Sequence, residues 1–274
     1  MLDHCERGVA MIHFGMPTLI ETRTVEECAV LCSELGLRFV ELSMDLPEYQ
    51  PNRLDIDKLN RVAEEYGIYY TIHLSGFLNP CDFNSRIAQA YTEVALDAIR
   101  VAKRLNAPIV NMHLHSGDYF TMPDGKVCLF EKYEDEYLQK LTAFRNACEA
   151  EIEDADIQIC VENCGCYEKA PYLRKGLALL LESATFAQTL DIGHNAAAGY
   201  SDEPTIMQHV NKLAHFHIHD ARGKQNHMTL GEGEMDLAKY LGLAELHNCR
   251  AVVEVKTVEG LRRSLEWLNI NSFN

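Results

Sequence analysis

Short apolar runs in this chain end, one after another, in side chains that can bind a metal or move a proton. The run at 68–74 ends in His73, and the run at 108–114 carries His113 with His115 just beyond it. The run at 157–162 ends at Glu162, and that at 185–191 at Asp191, with His194 three residues on. The run at 213–219 holds His215, His217 and His219, followed by Asp220 and, in the next loop, His227. The run at 250–255 carries Glu254, with Lys256 behind it. An ionisable group at the end of an apolar strand is costly to bury unless it is paired or binds a metal. Six runs in turn make that placement, which points to a centre for one or more divalent ions. Mixed carboxylate and imidazole ligands suit Zn2+, Mn2+, Co2+ or Fe2+.

Strand periodicity sorts the histidines. Alternation of period two puts His215, His217 and His219 on one face, so they cannot all reach one ion. His217 is at the level of the neighbouring ligands. His215 lies deeper, as a packed or hydrogen-bonded residue, and His219 is expected to support a ligand or touch substrate. His113 and His115 pose the same choice. His4, His13, His209 and His247 are assigned to surface or packing roles, and Trp267 to packing. Cys160, Cys164 and Cys166 flank Glu162, but their spacing is not that of a zinc motif, and Cys160 reads as packing one layer below Glu162.

These residues need elements to position them. Further β-rich runs at 11–15 and 38–42 bring the number of runs to eight, and each is followed by a helical pattern. Thr24 to Glu27 forms a capping box that opens the first helix. The segment 84–105 repeats apolar residues at Ile87, Ala88, Tyr91, Val94, Ala95, Ala98, Ile99 and Ala102, a helical spacing. The segment 133–152 does the same at Tyr137, Leu138, Leu141, Phe144 and Ala147. Residues 201–204 read as a cap followed by a helix-starting proline, and the last helix as about 258–268. Eight mostly apolar strands alternating with helices predict an α/β protein, a single (β/α)8 TIM barrel spanning 1–274. An open doubly wound sheet would need a glycine-rich phosphate turn early in the chain, and none is present. In a barrel, the C-terminal strand ends form the active site, which is where the ionisable residues fall. The longest loop, 116–130, is a candidate lid.

Composition excludes other classes. Hydrophobic residues make up 47% and charged residues 24% of the 274, which removes disordered and collagen-like chains. Forty-one acids against 25 bases give a formal charge of −16, which disfavours coating nucleic acid or an anionic membrane. No apolar run approaches the roughly 20 residues of a membrane span. No targeting segment is read at the start, and the ten scattered cysteines read as reduced, so a cytoplasmic protein is expected.

With these residues in hand, the chain resembles the xylose-isomerase-like TIM barrels. That superfamily includes sugar-phosphate isomerases and epimerases, ketose 3-epimerases, inosose dehydratases and the endonuclease IV group of AP endonucleases. The resemblance runs from the first strand to the last. It rests on His73, His115-Ser116-Gly117, Val161-Glu162-Asn163, Leu190-Asp191 with His194, His217 to Asp220, His227, Leu230 to Gly233, and Val253-Glu254-Val255. In the epimerase branch it implies a metal held by Glu162, Asp191, His217 and Glu254, with Glu162 and Glu254 also acting as the acid/base pair. In the endonuclease branch it implies three zinc ions on His73, His115, Glu162, Asp191, His194, His217, His227 and Glu254. The ninth ligand of that pattern, an aspartate, falls on Gln225, so a third ion is not expected, while His73 and His115 with Glu162 would hold a second. The early loops (16–24, 43–55, 75–84) hold only Arg23 and Arg53 as basic residues, too few for phosphate contacts to a duplex.

The expected function is thus a divalent-metal-dependent isomerase or epimerase of a sugar, sugar phosphate or polyol, by proton transfer next to a polarised carbonyl. The alternative is a metal-dependent hydrolase or lyase on the same scaffold, such as an AP-endonuclease-like phosphodiesterase or a dehydratase; a non-catalytic binding barrel comes last. His194, His219, Arg222, His227 and Lys256 are the candidates for substrate contact or further metal. The expected partner is a carbohydrate-like small molecule, with no membrane and with nucleic acid disfavoured but left open by the alternative; a homo-oligomer is compatible with the sequence.

Overall fold

The computed structural model describes residues 12–273; His4, Cys5 and Met11 of the sequence reading lie outside them. Its eight barrel strands are β1 (His13–Pro17), β2 (Phe39–Ser43), β3 (Tyr69–His73), β4 (Ile109–His113), β5 (Gln158–Glu162), β6 (Phe186–Asp191), β7 (Leu213–Ile218) and β8 (Arg250–Val253). They close in the order β1-β8-β7-β6-β5-β4-β3-β2, and every pairing is parallel. The helices α1 (Val25–Glu34), α2 (Ile56–Tyr66), α3 (Ser85–Leu105), α4 (Glu134–Ile152), α5 (Pro171–Leu181), α6 (Glu203–Gln208), α7 (Leu237–Leu246) and α8 (Val258–Ile270) follow the strands in turn. The protein is a single (β/α)8 TIM barrel, as the alternation predicts. No helix among the described residues is long and apolar enough to cross a membrane.

Local chemistry sets the helix starts. The Thr24 hydroxyl accepts the Glu27 N–H at 3.2 Å, and Glu27 in turn accepts the Arg23 N–H at 2.7 Å. Asp55, Asn84, Asp236 and Thr257 cap α2, α3, α7 and α8 in the same way. Gly67 ends α2 at φ 66°, where a side chain would be strained.

Inside the barrel, side chains stack in layers. Ile109, Cys160 and Ala187 pack together at the lower level. Two residues further along the same strands come Asn111, Glu162 and Thr189, all buried. Gly15 is buried in β1 because a Cβ there would lie 2.4 Å from the Phe39 ring.

Helix α3 forms as its spacing predicts, with Ile87 and Val94 at the edge of the apolar stripe 45% and 40% exposed. Two expectations are corrected. Asp202 does not cap α6 with its side chain; its buried carboxylate accepts the Gly165 and Tyr167 N–H groups at 2.6 and 2.8 Å, bracing the loop after β5. Segment 116–130 is not an irregular loop but an antiparallel hairpin (Tyr119–Met122 with Gly125–Cys128). Its base is tied down where the Tyr172 hydroxyl donates to the Ser116 carbonyl at 2.7 Å.

Candidate metal centre

Barrel register brings the polar strand ends together. Glu162 pairs with His113 across β4 and β5, and Asp191 pairs with His217 across β6 and β7. Glu254, one residue past β8, donates its N–H to the Ile218 carbonyl, which holds it level with the end of β7. Of these side chains His113, Glu162 and Glu254 line a cavity of about 400 Å3, together with Glu41, His73, His194, His227 and Lys256. Pro17, Leu19, Ile20 and Leu46 form its apolar wall. A cavity of about 500 Å3 lies outside the barrel against α6 and α7. Its titratable groups are already committed: Glu203 pairs with Lys239 and Tyr240, and Asp236 caps α7.

Glu162 is the hub. Its Oε2 accepts the Asn111 amide at 2.6 Å and lies 3.3 Å from His73 Nε2, 3.2 Å from His113 Nε2 and 3.4 Å from His217 Nδ1. Its Oε1 lies 3.3 Å from His194 Nδ1. His217 Nδ1 also lies 3.2 Å from Glu254 Oε2 and 4.0 Å from Asp191 Oδ2. A tetrahedral ion with bonds of 2.0–2.2 Å separates its ligand atoms by about 3.3–3.6 Å. The spacing of Glu162, His217 and Glu254 is close to that edge. His217 Nδ1, Glu254 Oε2, His194 Nδ1 and His113 Nε2 are buried and make no hydrogen bond. Leaving such atoms unpaired costs about 1–3 kcal/mol each. Buried ligand atoms without a hydrogen bond, set beside carboxylates, fit a cation. Glu162, Asp191 and His217 form one ligand group and His73, His113 and Glu162 another, each within 4.8 Å.

The electrostatics follow from burial and mutual charge. Burial opposes ionisation of Glu162, yet the His217 and His113 rings beside it outweigh that and hold its carboxyl well below the usual range. Glu254 is held low in the same way, by His217 and then Lys256. Burial pulls His217 down, but Glu162, Glu41 and Glu254 raise it well above an ordinary histidine. His73 and His194 rise to about 9 against their own burial, the first through Glu162 and the second through Asp191 and Glu162.

The remaining expected residues sort by contact. The structure brings His113, not His115, to Glu162. β4 ends at His113, and His115 lies in the turn beyond it, where its Nδ1 accepts the Gly117 N–H at 3.1 Å. His219 is fully buried and braces a ligand: its Nδ1 accepts the His227 N–H at 2.8 Å, which leaves its Nε2–H for Asp191 at 3.0 Å. His227 stacks on that ring, with centroids 4.2 Å apart. Arg222 is exposed and donates to the Glu232 carbonyl at 2.6 Å, away from the cavity. Lys256 reaches Glu254 Oε1 at 2.7 Å. Asp220 belongs to no ligand group; it accepts the Gly231 and Gly233 N–H groups at 3.0 and 2.9 Å and so shapes the loop after β7. Two residues escaped the sequence reading. Asn111 orients Glu162, and Glu41 is buried beside His215 and His217. Glu41 carried the same signal as the others, an acid in the apolar run 38–42.

Comparison with known proteins agrees with this architecture. The family model described as the xylose isomerase-like TIM barrel matches residues 29–270. A D-tagatose 3-epimerase-like protein superposes with TM-score 0.76 at 23% identity, covering 94% of this chain and 96% of that one. D-Psicose 3-epimerase with D-tagatose, from Clostridium cellulolyticum H10, superposes with TM-score 0.72 at 14% identity, covering 96% and 99%. The IOLI protein with a bound zinc atom superposes with TM-score 0.72 at 15% identity, covering 96% and 98%.

Proposed function

The chain belongs to the xylose isomerase-like TIM barrel family, and from that premise we propose that it is a divalent-metal-dependent isomerase or epimerase of a sugar, sugar phosphate or related polyol. One observation carries the reading. Glu162, Asp191 and Glu254, from β5, β6 and one residue past β8, gather around His217 Nδ1 at 3.4, 4.0 and 3.2 Å, and this nitrogen and Glu254 Oε2 make no hydrogen bond. A divalent ion bound there supplies the electrophile that polarises a substrate carbonyl. Two carboxylates held in their charged form stand beside it. One takes the proton from the carbon next to the carbonyl, and the other, after first picking up a proton from water, delivers it to that carbon from the opposite face. Asn111 keeps Glu162 oriented, and Lys256 does the same for Glu254. His194, His227 and Lys256 offer polar contacts to substrate hydroxyls along the wall. The neighbours named as a D-tagatose 3-epimerase-like protein and as D-psicose 3-epimerase with D-tagatose support the substrate class, and the zinc in the IOLI protein supports the ion.

The test is proton exchange. The metal-loaded protein, incubated with candidate ketoses in deuterated water, is expected to incorporate deuterium next to the carbonyl. Glu162→Gln and Glu254→Gln should each abolish incorporation; exchange retained in both would refute the acid/base pair.

A second reading is favoured by the His73, His113 and Glu162 group. With Glu162 shared, two ions would suit a hydrolase or lyase, including an AP-endonuclease-like phosphodiesterase. Gln225, on the exposed hairpin after β7, offers no carboxylate for a third. Metal content together with incision of abasic DNA separates the two readings. A one-metal preparation without incision favours the isomerase.

A further inference from the structure

The His217 ring is fully buried, with a carboxylate environment on both edges. Nδ1 faces Glu162, Asp191 and Glu254, while Nε2 lies 2.9 Å from Glu41 Oε1, a charge contact out of line for a hydrogen bond. Glu41 does not belong to the strand neighbours of His217. It comes from β2, separated from β7 by β1 and β8, so its carboxylate reaches across the barrel interior. There it is fixed independently of any ion. Its Oε2 accepts the Thr71 hydroxyl at 3.1 Å and lies 3.0 Å from His215 Nε2. His215 Nδ1 has no hydrogen-bond partner, so a ring proton on Nε2 donates to Glu41. A hydroxyl and two imidazole edges thus converge on one carboxylate that is 2% exposed.

We propose that Glu41 is the positioning residue of the metal centre: it keeps the proton of His217 on Nε2, so that Nδ1 alone is presented as a ligand, with Thr71 and His215 holding Glu41 in place. A carboxylate behind a metal-binding imidazole fixes its tautomer and orientation and raises its basicity. The inference rests on the reading of the cluster as a metal centre, and it adds a residue from β2 that is not among the four proposed ligands.

The experiment compares wild type with Glu41→Gln, which keeps the side chain's shape and removes its charge. Cobalt affinity is measured by competition with a chelating dye, alongside the cobalt d–d absorption and the metal-free melting temperature. Glu41→Gln is expected to weaken cobalt binding about 10–100-fold and to shift the absorption bands, with little change in the metal-free melting temperature. An unchanged affinity and spectrum would overturn the proposal while leaving the metal centre standing. A wild-type protein that binds no metal would instead remove the reading beneath it. Nitrogen-15 NMR of the histidine rings in zinc-loaded wild type needs no variant. A His217 proton on Nε2 is expected, and a proton on Nδ1 overturns the proposal even if Glu41→Gln fails to fold.

Discussion

His113 and His115 are two residues apart and identical in type, yet their surroundings give them different work. His113 ends β4 with its Nε2 bare and 3.2 Å from Glu162, whereas His115 turns its Nδ1 to the Gly117 N–H. His113→Ala should therefore lower metal content or affinity by about 10-fold or more, since a ligand's loss costs at least as much as that of an outer partner. His115→Ala should leave it within about twofold and show only a small loss of stability. Mass spectrometry of the native protein and dye competition read both. The reverse result would move the second ligand group back onto the turn. Residue types and period two placed Glu162, Asp191, His217 and Glu254 among the strand-end candidates, because a charge at the end of an apolar run has few bland explanations; the family resemblance singled out these four as a ligand set. They could not separate His113 from His115, since that choice depends on where the β4 ladder stops. The alternation treated Glu41 as one more residue of a short strand, because its partners Thr71, His215 and His217 lie on other strands and are brought to it only by closure of the barrel.

At the scale of elements, the junction after β6 carries the most consequence. Asp191 ends the strand and caps the short helix Ile192–Ala197, accepting the His194 N–H at 2.6 Å. The first turn of that helix must also clear His219, and Gly193 makes that possible: a Cβ there would lie 1.9 Å from the His219 ring. The backbone at Gly193 is not in the left-handed region, so the restriction is space alone. Gly193→Ala should push His219 off Asp191 and loosen a ligand without altering any ligand. The expected outcome is a loss of stability of about 1–3 kcal/mol together with weaker metal binding, seen by denaturant titration and dye competition. Stability lost with full metal affinity would show that His219 does not orient Asp191. Helix starts were readable where a local hydrogen bond makes them, as at Thr24. Asp202 was misread because its buried carboxylate serves backbone groups at Gly165 and Tyr167, more than thirty residues away, and no local pattern encodes that. The hairpin within 116–130 was hidden for a related reason: its strands are four residues each and almost wholly exposed, so they lack an apolar face to alternate.

For the whole molecule, the excess of sixteen acids over bases has two parts. Most of it lies on the outside and concerns solubility. Four carboxylates, Glu41, Glu162, Asp191 and Glu254, instead meet inside the barrel, where without an ion histidines, Lys256 and polar groups offset them. In the metal-free protein His73 and His194 keep their protons up to about pH 9, because Glu162 and Asp191 favour the charged rings. Their folded values lie above the ordinary 6.5, so the stability they contribute is complete below about pH 6.5 and is lost as pH rises through about 9. A bound ion takes over the neutralisation without titrating, and proton competition for its ligands weakens over the same interval. The chelator-treated protein should therefore lose stability between pH 6.5 and 9, while the metal-loaded protein holds it. The gap between the two melting temperatures should widen with pH. With free ion at 100 times its Kd, loading is worth about 2.7 kcal/mol, or roughly 5–10 °C in Tm. Calorimetry of both forms at pH 6.5, 7.5 and 9 measures the gap. A gap that narrows as pH rises would mean that the buried carboxylates are not neutralised by those histidines.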